Sequence, residues 1–190
     1  MVGGRRARIL DIANDGRGNV RLEFAIPTRG LIGLRNALLT ATKGHGTMSS
    51  QLMGYEPWHG PIASNRTGAL VATDPGVALT HGLANAQERG MTFIEPGTEV
   101  YEGMIVGQQP RQGDLPVNVC RAKKLTNMRA STSDIAVRLT PPIILSLEQS
   151  LDFLADDELL EVTPKNLRLR KQLLSHHDRV KARKRAASVS

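Results

Sequence analysis

Aromatic residues are scarce in this 190-residue chain: Phe24, Phe93, Phe153, Tyr55, Tyr101 and Trp58 are all it has. That shortage argues against nucleic-acid binding on a platform of stacked bases, because each stacked base needs an aromatic partner. The single cysteine, Cys120, excludes an internal disulfide and fits a reducing compartment. It has no obvious base beside it and reads as an ordinary thiol. The first residues, Met1-Val2-Gly3-Gly4-Arg5-Arg6, lack the apolar stretch of a secretion signal, and no apolar run approaches membrane-spanning length. A cytoplasmic protein with no membrane partner is expected. A phosphate-binding P-loop is missing too: Gly44-His45-Gly46 is not followed by Lys-Ser/Thr. His45, His59, His81, His176 and His177 show no metal-ligand spacing with one another or with Cys120. No cofactor and no metal are expected in this stretch.

Basic charge is what the chain has in excess. Lysine and arginine number 25 against 18 acids, a formal net charge of +7. An anionic partner follows, and membranes and nucleic acid both qualify. The charge is concentrated in two places. One is Arg121-Ala122-Lys123-Lys124-Leu125-Thr126-Asn127-Met128-Arg129-Ala130-Ser131-Thr132-Ser133, which follows neither a strand's period nor a helix's and has no acid until Asp134. Short apolar runs at 117–119 and 135–139 flank it and read as strands. Lysine and arginine offer charge to phosphates, and Thr126, Asn127 and the serines offer hydrogen bonds, so the loop suits an RNA backbone. A solvated surface loop would have the same composition.

The other concentration is C-terminal: Lys165, Arg168, Arg170, Lys171, Arg179, Lys181, Arg183, Lys184 and Arg185 stand against Asp178 alone. Arg168 and Arg170 fall on one face of an expected strand and would form a phosphate-facing ridge with Lys171 following. Beyond Arg179 the chain is charged on every side, unlike a membrane-surface helix with an apolar face. That favours nucleic acid, with a solubilising tail as the alternative. An acidic group, Asp152, Asp156, Asp157, Glu158 and Glu161, leaves open a small hydrolase with paired carboxylates. A protein-interaction module whose charge serves solubility is a third reading. Ser131 and Ser133 lie near Asp134, but no histidine completes a triad.

The pattern of elements is α+β. Val20, Leu22, Phe24 and Ile26 alternate with polar residues as a half-buried strand should. A weaker strand at 7–13 joins it through Asp15-Gly16-Arg17-Gly18-Asn19, a clear turn. Leu31, Leu34, Leu38 and Ala41 mark one helical face closed by Lys43 and Gly44, and 47–52 should be another strand. The resulting β-β-α-β order is a ferredoxin-like module lacking its opening strand and helix, as if cut inside a domain. Gly54-Tyr55-Glu56-Pro57-Trp58-His59-Gly60-Pro61 marks a boundary. Domains are expected at 1–60 and 61–175, with a basic tail at 176–190. The second should be a mostly antiparallel sheet domain with a few helices. Its strands are expected at 68–73, 91–94, 99–106, 159–162 and 166–170. Helices are expected at 77–88 and from a Ser146 cap to Ala155, with Leu147, Leu151 and Leu154 inward.

Several blocks resemble the C-terminal half of the TypA/BipA translational GTPases. They are Pro27-Thr28-Arg29-Gly30-Leu31-Ile32-Gly33-Leu34-Arg35, Glu95-Pro96-Gly97-Thr98-Glu99-Val100-Tyr101-Glu102-Gly103-Met104-Ile105-Val106-Gly107, Lys123-Lys124-Leu125-Thr126-Asn127-Met128-Arg129-Ala130-Ser131, Leu139-Thr140-Pro141-Pro142 and Asp157-Glu158-Leu159-Leu160-Glu161-Val162-Thr163-Pro164. They fall in order from Arg5 to about Leu174. The resemblance implies part of an elongation-factor-G-like domain V followed by a C-terminal domain peculiar to the group. It implies a ribosome-associated parent concerned with stress adaptation and large-subunit assembly. It also implies that the basic loop reaches the peptidyl transferase centre and the acceptor end of A-site tRNA. Carried over, Lys123, Lys124, Thr126, Asn127 and Arg129 would meet rRNA and tRNA; Arg121, outside the matching block, is a candidate contact from the charge of the loop alone. GTP and magnesium would belong to the family's G domain, so no catalysis is expected of this stretch. Exposed edges in a truncated domain V would favour self-association.

Overall fold

A computed structural model describes residues 2–62, 67–123 and 138–188. The chain divides into two compact units, Met1–Asn65 and Arg66–Ser190. The first is built on a hairpin. Strands β1 (Arg8–Asn14) and β2 (Val20–Ala25) pair antiparallel from Arg8↔Ala25 to Asn14↔Val20, with a bulge between Ile9 and Asp11. Asp15 closes the turn: its Oδ1 accepts from the backbone N–H of Arg17 (2.8 Å) and Asn19 (3.1 Å). Its Oδ2 accepts from the Asn19 side chain at 2.9 Å. The Asn19 bond and then the Arg17 bond hold the Asp15 carboxyl below its ordinary pKa.

Helix α1 (Leu34–Ala41) follows a short 3-10 turn at Thr28–Leu31 and starts after Gly33 in the left-handed region, so the helical run begins later than Leu31. The segment 47–52 forms no strand, contrary to expectation. Its sequence, Thr-Met-Ser-Ser-Gln-Leu, alternates poorly, and no described strand pairs with it. Among the described residues this unit forms a two-stranded ladder and one α-helix, and the fourth element of the expected ferredoxin-like order is not a strand. One face of that ladder stays in solvent. Ile12 and its cross-strand partner Leu22 are 58% and 50% exposed, and Ile9 and Val20 of the same face are comparably open.

The second unit has a sheet whose strands lie in the order Met91–Thr92 (β5), Ile105–Gln108 (β7), Ala69–Ala72 (β3) and Leu115–Val117 (β8). Strand β3 (Ala69–Ala72) lies inside it, buried at every position, as its unbroken apolar sequence requires. It runs antiparallel to β7 (Ile105–Gln108), which pairs with β5 (Met91–Thr92). It runs parallel to β8 (Leu115–Val117), an exception to the antiparallel expectation. Because side chains alternate across a strand, β3 feeds two cores. Leu70 and Ala72 join Leu83, Val106 and Val119, while Ala69 and Val71 join Ile105, Phe153 and Leu169.

Helix α2 (Thr80–Gln87) contributes Leu83 and Ala86 to the first core. It is shorter than 77–88 because Gly76–Val77 form a strand, β4, paired with β6 (Glu99–Val100). The expected strand 99–106 is likewise broken, by a turn in which the Met104 N–H donates to the Tyr101 carbonyl at 3.1 Å. Gly103 there has φ 87°, and a Cβ on it would lie 2.7 Å from the Leu174 backbone, so both conformation and space demand glycine.

On the second core sit α3 (Leu147–Phe153) and the antiparallel hairpin of β9 (Glu158–Val162) and β10 (Leu167–Lys171). Ser146 caps α3 as expected, in a reciprocal capping box with Gln149. The inward face differs. Ser150 and Phe153 are buried, Leu154 packs only at the core's edge, and Leu147 and Leu151 are exposed. Phe153 sets the rotation by standing edge-on to Phe93, ring centroids 5.1 Å apart at 89°. Helix α4 (His176–Ala187) closes the chain. No helix among the described residues is long and apolar enough to cross a membrane.

Candidate nucleic-acid interface

The described residues on either side of the basic stretch, Val119 and Thr140, are held by the two ends of α2. On its N-terminal side, the Leu79 N–H donates to the Val119 carbonyl at 2.9 Å. Gly82 lets α2 approach that segment, since a Cβ there would stand 2.2 Å from the Val119 oxygen. On the far side, Gln87 at the end of α2 grips Thr140 twice. Its Nε2 donates to the Thr140 carbonyl (2.7 Å), and its Oε1 accepts from the Thr140 N–H (2.9 Å). The same Nε2 donates to the Thr92 hydroxyl at 3.1 Å. Nothing in the local sequence signals this clasp, because its partners lie 53 residues apart.

Arg121 and Lys123 leave that anchor exposed to solvent. Lys124, Thr126, Asn127 and Arg129, and most of the strand expected at 135–139, lie outside the described residues. The segment flanking the loop on its N-terminal side is a strand at Leu115–Val117, two residues earlier than 117–119. Cys120 is half-buried, and that burial, followed by the charge of Asp74, pushes its thiol pKa up. A raised thiol pKa is the property of an unreactive cysteine.

The C-terminal ridge divides by the alternation of β10. Arg168 and Arg170 share one face, both half-buried. Arg170 Nε stands 2.6 Å from Glu161 Oε1, and the other oxygen of Glu161 accepts from the Tyr101 hydroxyl at 2.9 Å. Burial first, then that hydrogen bond, pushes the Tyr101 pKa up to about 12. Arg170 is thus partly neutralised, whereas Arg168 has no ion-pair partner among the described residues.

Lys171 does not belong to the ridge. It points to the opposite face, is only 2% exposed, and its ammonium meets Asp114, Asp157 (3.0 Å) and Glu158 (2.8 Å). Burial works to lower its pKa, but the hydrogen bonds to Asp114, Glu158 and Asp157 outweigh it and the net shift is upward. A buried cation already matched by carboxylates has no charge to offer a phosphate. The same contacts account for three members of the acidic group: Asp157 and Glu158 hold Lys171, and Glu161 holds Arg170 and Tyr101. Among the described residues no cluster of three His, Cys, Asp or Glu is placed to hold a metal ion.

Helix α4 is fixed at its start. The His176 N–H donates to Glu102 Oε1 (2.7 Å), and Arg179 turns back to donate to the Leu173 carbonyl (2.9 Å) and to that of Leu174. Arg179 therefore serves the helix start, while Lys181, Lys184 and Arg185 share one open face with His177.

Residues 67–176 match the family model described as the TypA/BipA C-terminal domain, and residues 1–66 match the elongation factor G C-terminus. The chain is 43% identical over 97% of its length to the large ribosomal subunit assembly factor BipA of Bacillus subtilis. It is 45% identical over its full length to the Haemophilus influenzae protein of the same name, and 44% identical over 95% to that of Escherichia coli K12. It spans about 30% of the length of these relatives.

Proposed function

Because the chain belongs to the TypA/BipA family, whose C-terminal domain it matches over residues 67–176, we propose that it is the ribosome-contacting, non-catalytic part of a translational GTPase. The observation that carries this reading is the similarity along nearly the whole chain to proteins named as large ribosomal subunit assembly factors. Net charge supports it, since +7 suits a phosphate-rich partner.

The working surface is the basic segment between the two α2 anchors. Arg121, Lys123, Lys124 and Arg129 bring charge to phosphates, while Thr126 and Asn127 add hydrogen bonds. Its target is rRNA of the large subunit and the acceptor end of A-site tRNA. Arg168 and, with its charge half spent on Glu161, Arg170 form a second contact. The face of α4 bearing Lys181, Lys184 and Arg185 adds affinity without sequence preference. The parent acts in the cytoplasm, in large-subunit assembly and stress adaptation, and its GTP chemistry resides in a separate G domain. The exposed hairpin face of β1 and β2 is the surface through which this chain self-associates.

Co-sedimentation with purified large ribosomal subunits tests the reading. The chain should pellet with them at low salt and be released steeply as salt rises. Binding that ignores salt, or no binding at all, would contradict it.

A further inference from the structure

Beside the end of β5, Ile144 and Leu145 and the tip of the β9–β10 hairpin line a cleft of about 400 Å³. Its floor is apolar and buried, formed by Met104, Ile105 and Leu169. Half-buried Phe93 lines it, and Ile144, 67% exposed, and Leu167 stand at its rim. The hairpin tip adds polar groups. Lys165 and Arg168 have no ion-pair partner among the described residues. The Asn166 side chain makes no hydrogen bond among the described residues; only its backbone bonds, to Thr163. Glu95, also lining the cleft, offers a carboxylate acceptor.

We infer that this cleft receives one base of single-stranded RNA, with Phe93, Ile144 and Leu167 against its faces, Asn166 and Glu95 at its edge, and Lys165 and Arg168 on the adjoining phosphates. The inference rests on the RNA-contacting reading above and gives it a second, base-holding site distinct from the loop. A volume of this order suits one small planar ligand, and an aromatic ring beside apolar walls suits any base, because every base presents a π-face. The scarcity of aromatics rules out a platform for several bases but leaves room for a single pocket. An acidic peptide would also satisfy two cations. RNA is favoured because Lys165 and Arg168 stand at the cleft as two separate cations with no ion-pair partner among the described residues, which successive phosphates match and one acidic side chain does not.

Fluorescence anisotropy with a short oligoadenylate, beside an abasic ribose-phosphate chain of equal length, tests the proposal. Ile144→Ser, at an exposed position, should preserve the melting temperature and weaken oligoadenylate binding about fivefold while leaving the abasic chain unaffected. Arg168→Ala should weaken both chains. If Ile144→Ser changes neither chain, or changes both equally, while wild type binds RNA, the cleft holds no base and only the general RNA reading survives. If wild type binds neither chain, both readings fail together. Displacement of oligoadenylate by an acidic peptide, with the Ile144 effect transferred to that peptide, would assign the cleft to protein instead.

Discussion

Lys171 shows how one side chain can reverse an assignment made from sequence. Lys165, Arg168, Arg170 and Lys171 read as one basic cluster, yet the strand's alternation sends Lys171 inward to Asp114, Asp157 and Glu158. Removing it leaves those carboxylates without their cation, one of them fully buried. Lys171→Ala should cost about 3 kcal/mol, read by denaturant unfolding, in the range for breaking one partner of a buried pair. The raised pKa gives a second signature. A group whose folded pKa lies above its unfolded value stabilises fully below the unfolded value, and that contribution is lost as pH rises through the folded one. Stability should therefore fall as pH climbs above the ordinary lysine value of 10.5, and Lys171→Met should flatten that alkaline slope. An unchanged slope would mean the ammonium is not the titrating group. The sequence could not reveal this role: Asp157 and Glu158 were visible as acids, but Asp114 lies 57 positions away from Lys171 in an unrelated loop.

Elements were legible where sequence and partner agree. The β1–β2 hairpin has its alternation and its Asp-Gly turn, and Ser146 with Gln149 announces a capping box. They were illegible where a distant partner decides. The run 99–106 looks continuous until the turn at Glu102–Gly103 makes room for Leu174, and α3 takes its rotation from Phe93 rather than from its own leucines. The candidate interface shows the same division: its basic residues are plain in the sequence, whereas the Gln87–Thr140 clasp exists only in three dimensions. One element carries a prediction of its own. The face with Ile9, Ile12, Val20 and Leu22 leaves apolar side chains in water, a surface that favours association. Sedimentation velocity should show concentration-dependent self-association, and Ile12→Lys with Leu22→Lys should give a monomer. A wild type that stays monomeric throughout would remove this surface from the account.

At the scale of the whole molecule, affinity should be mostly electrostatic, because charge is abundant and aromatic surface is not. Deleting residues after Leu174 removes the Lys181, Lys184 and Arg185 face along with the rest of α4. Binding to large subunits should weaken and its salt dependence flatten, the logarithmic slope falling by roughly 0.7 to 0.9 for each phosphate that α4 had neutralised. An unchanged slope would mean that α4 touches no phosphate.

The central claim, that the basic segment anchored on α2 is the RNA contact, is tested most directly by Lys123→Glu together with Lys124→Glu. Melting temperature and large-subunit affinity should be measured side by side on the double variant. Lys123 is exposed, and exposed substitutions usually cost within about 0.5 kcal/mol, so the melting temperature should hardly move. Affinity should drop at least tenfold at low salt, since two attractions to phosphate become two repulsions. Normal melting with undiminished affinity would contradict the claim, and early melting would make the segment structural.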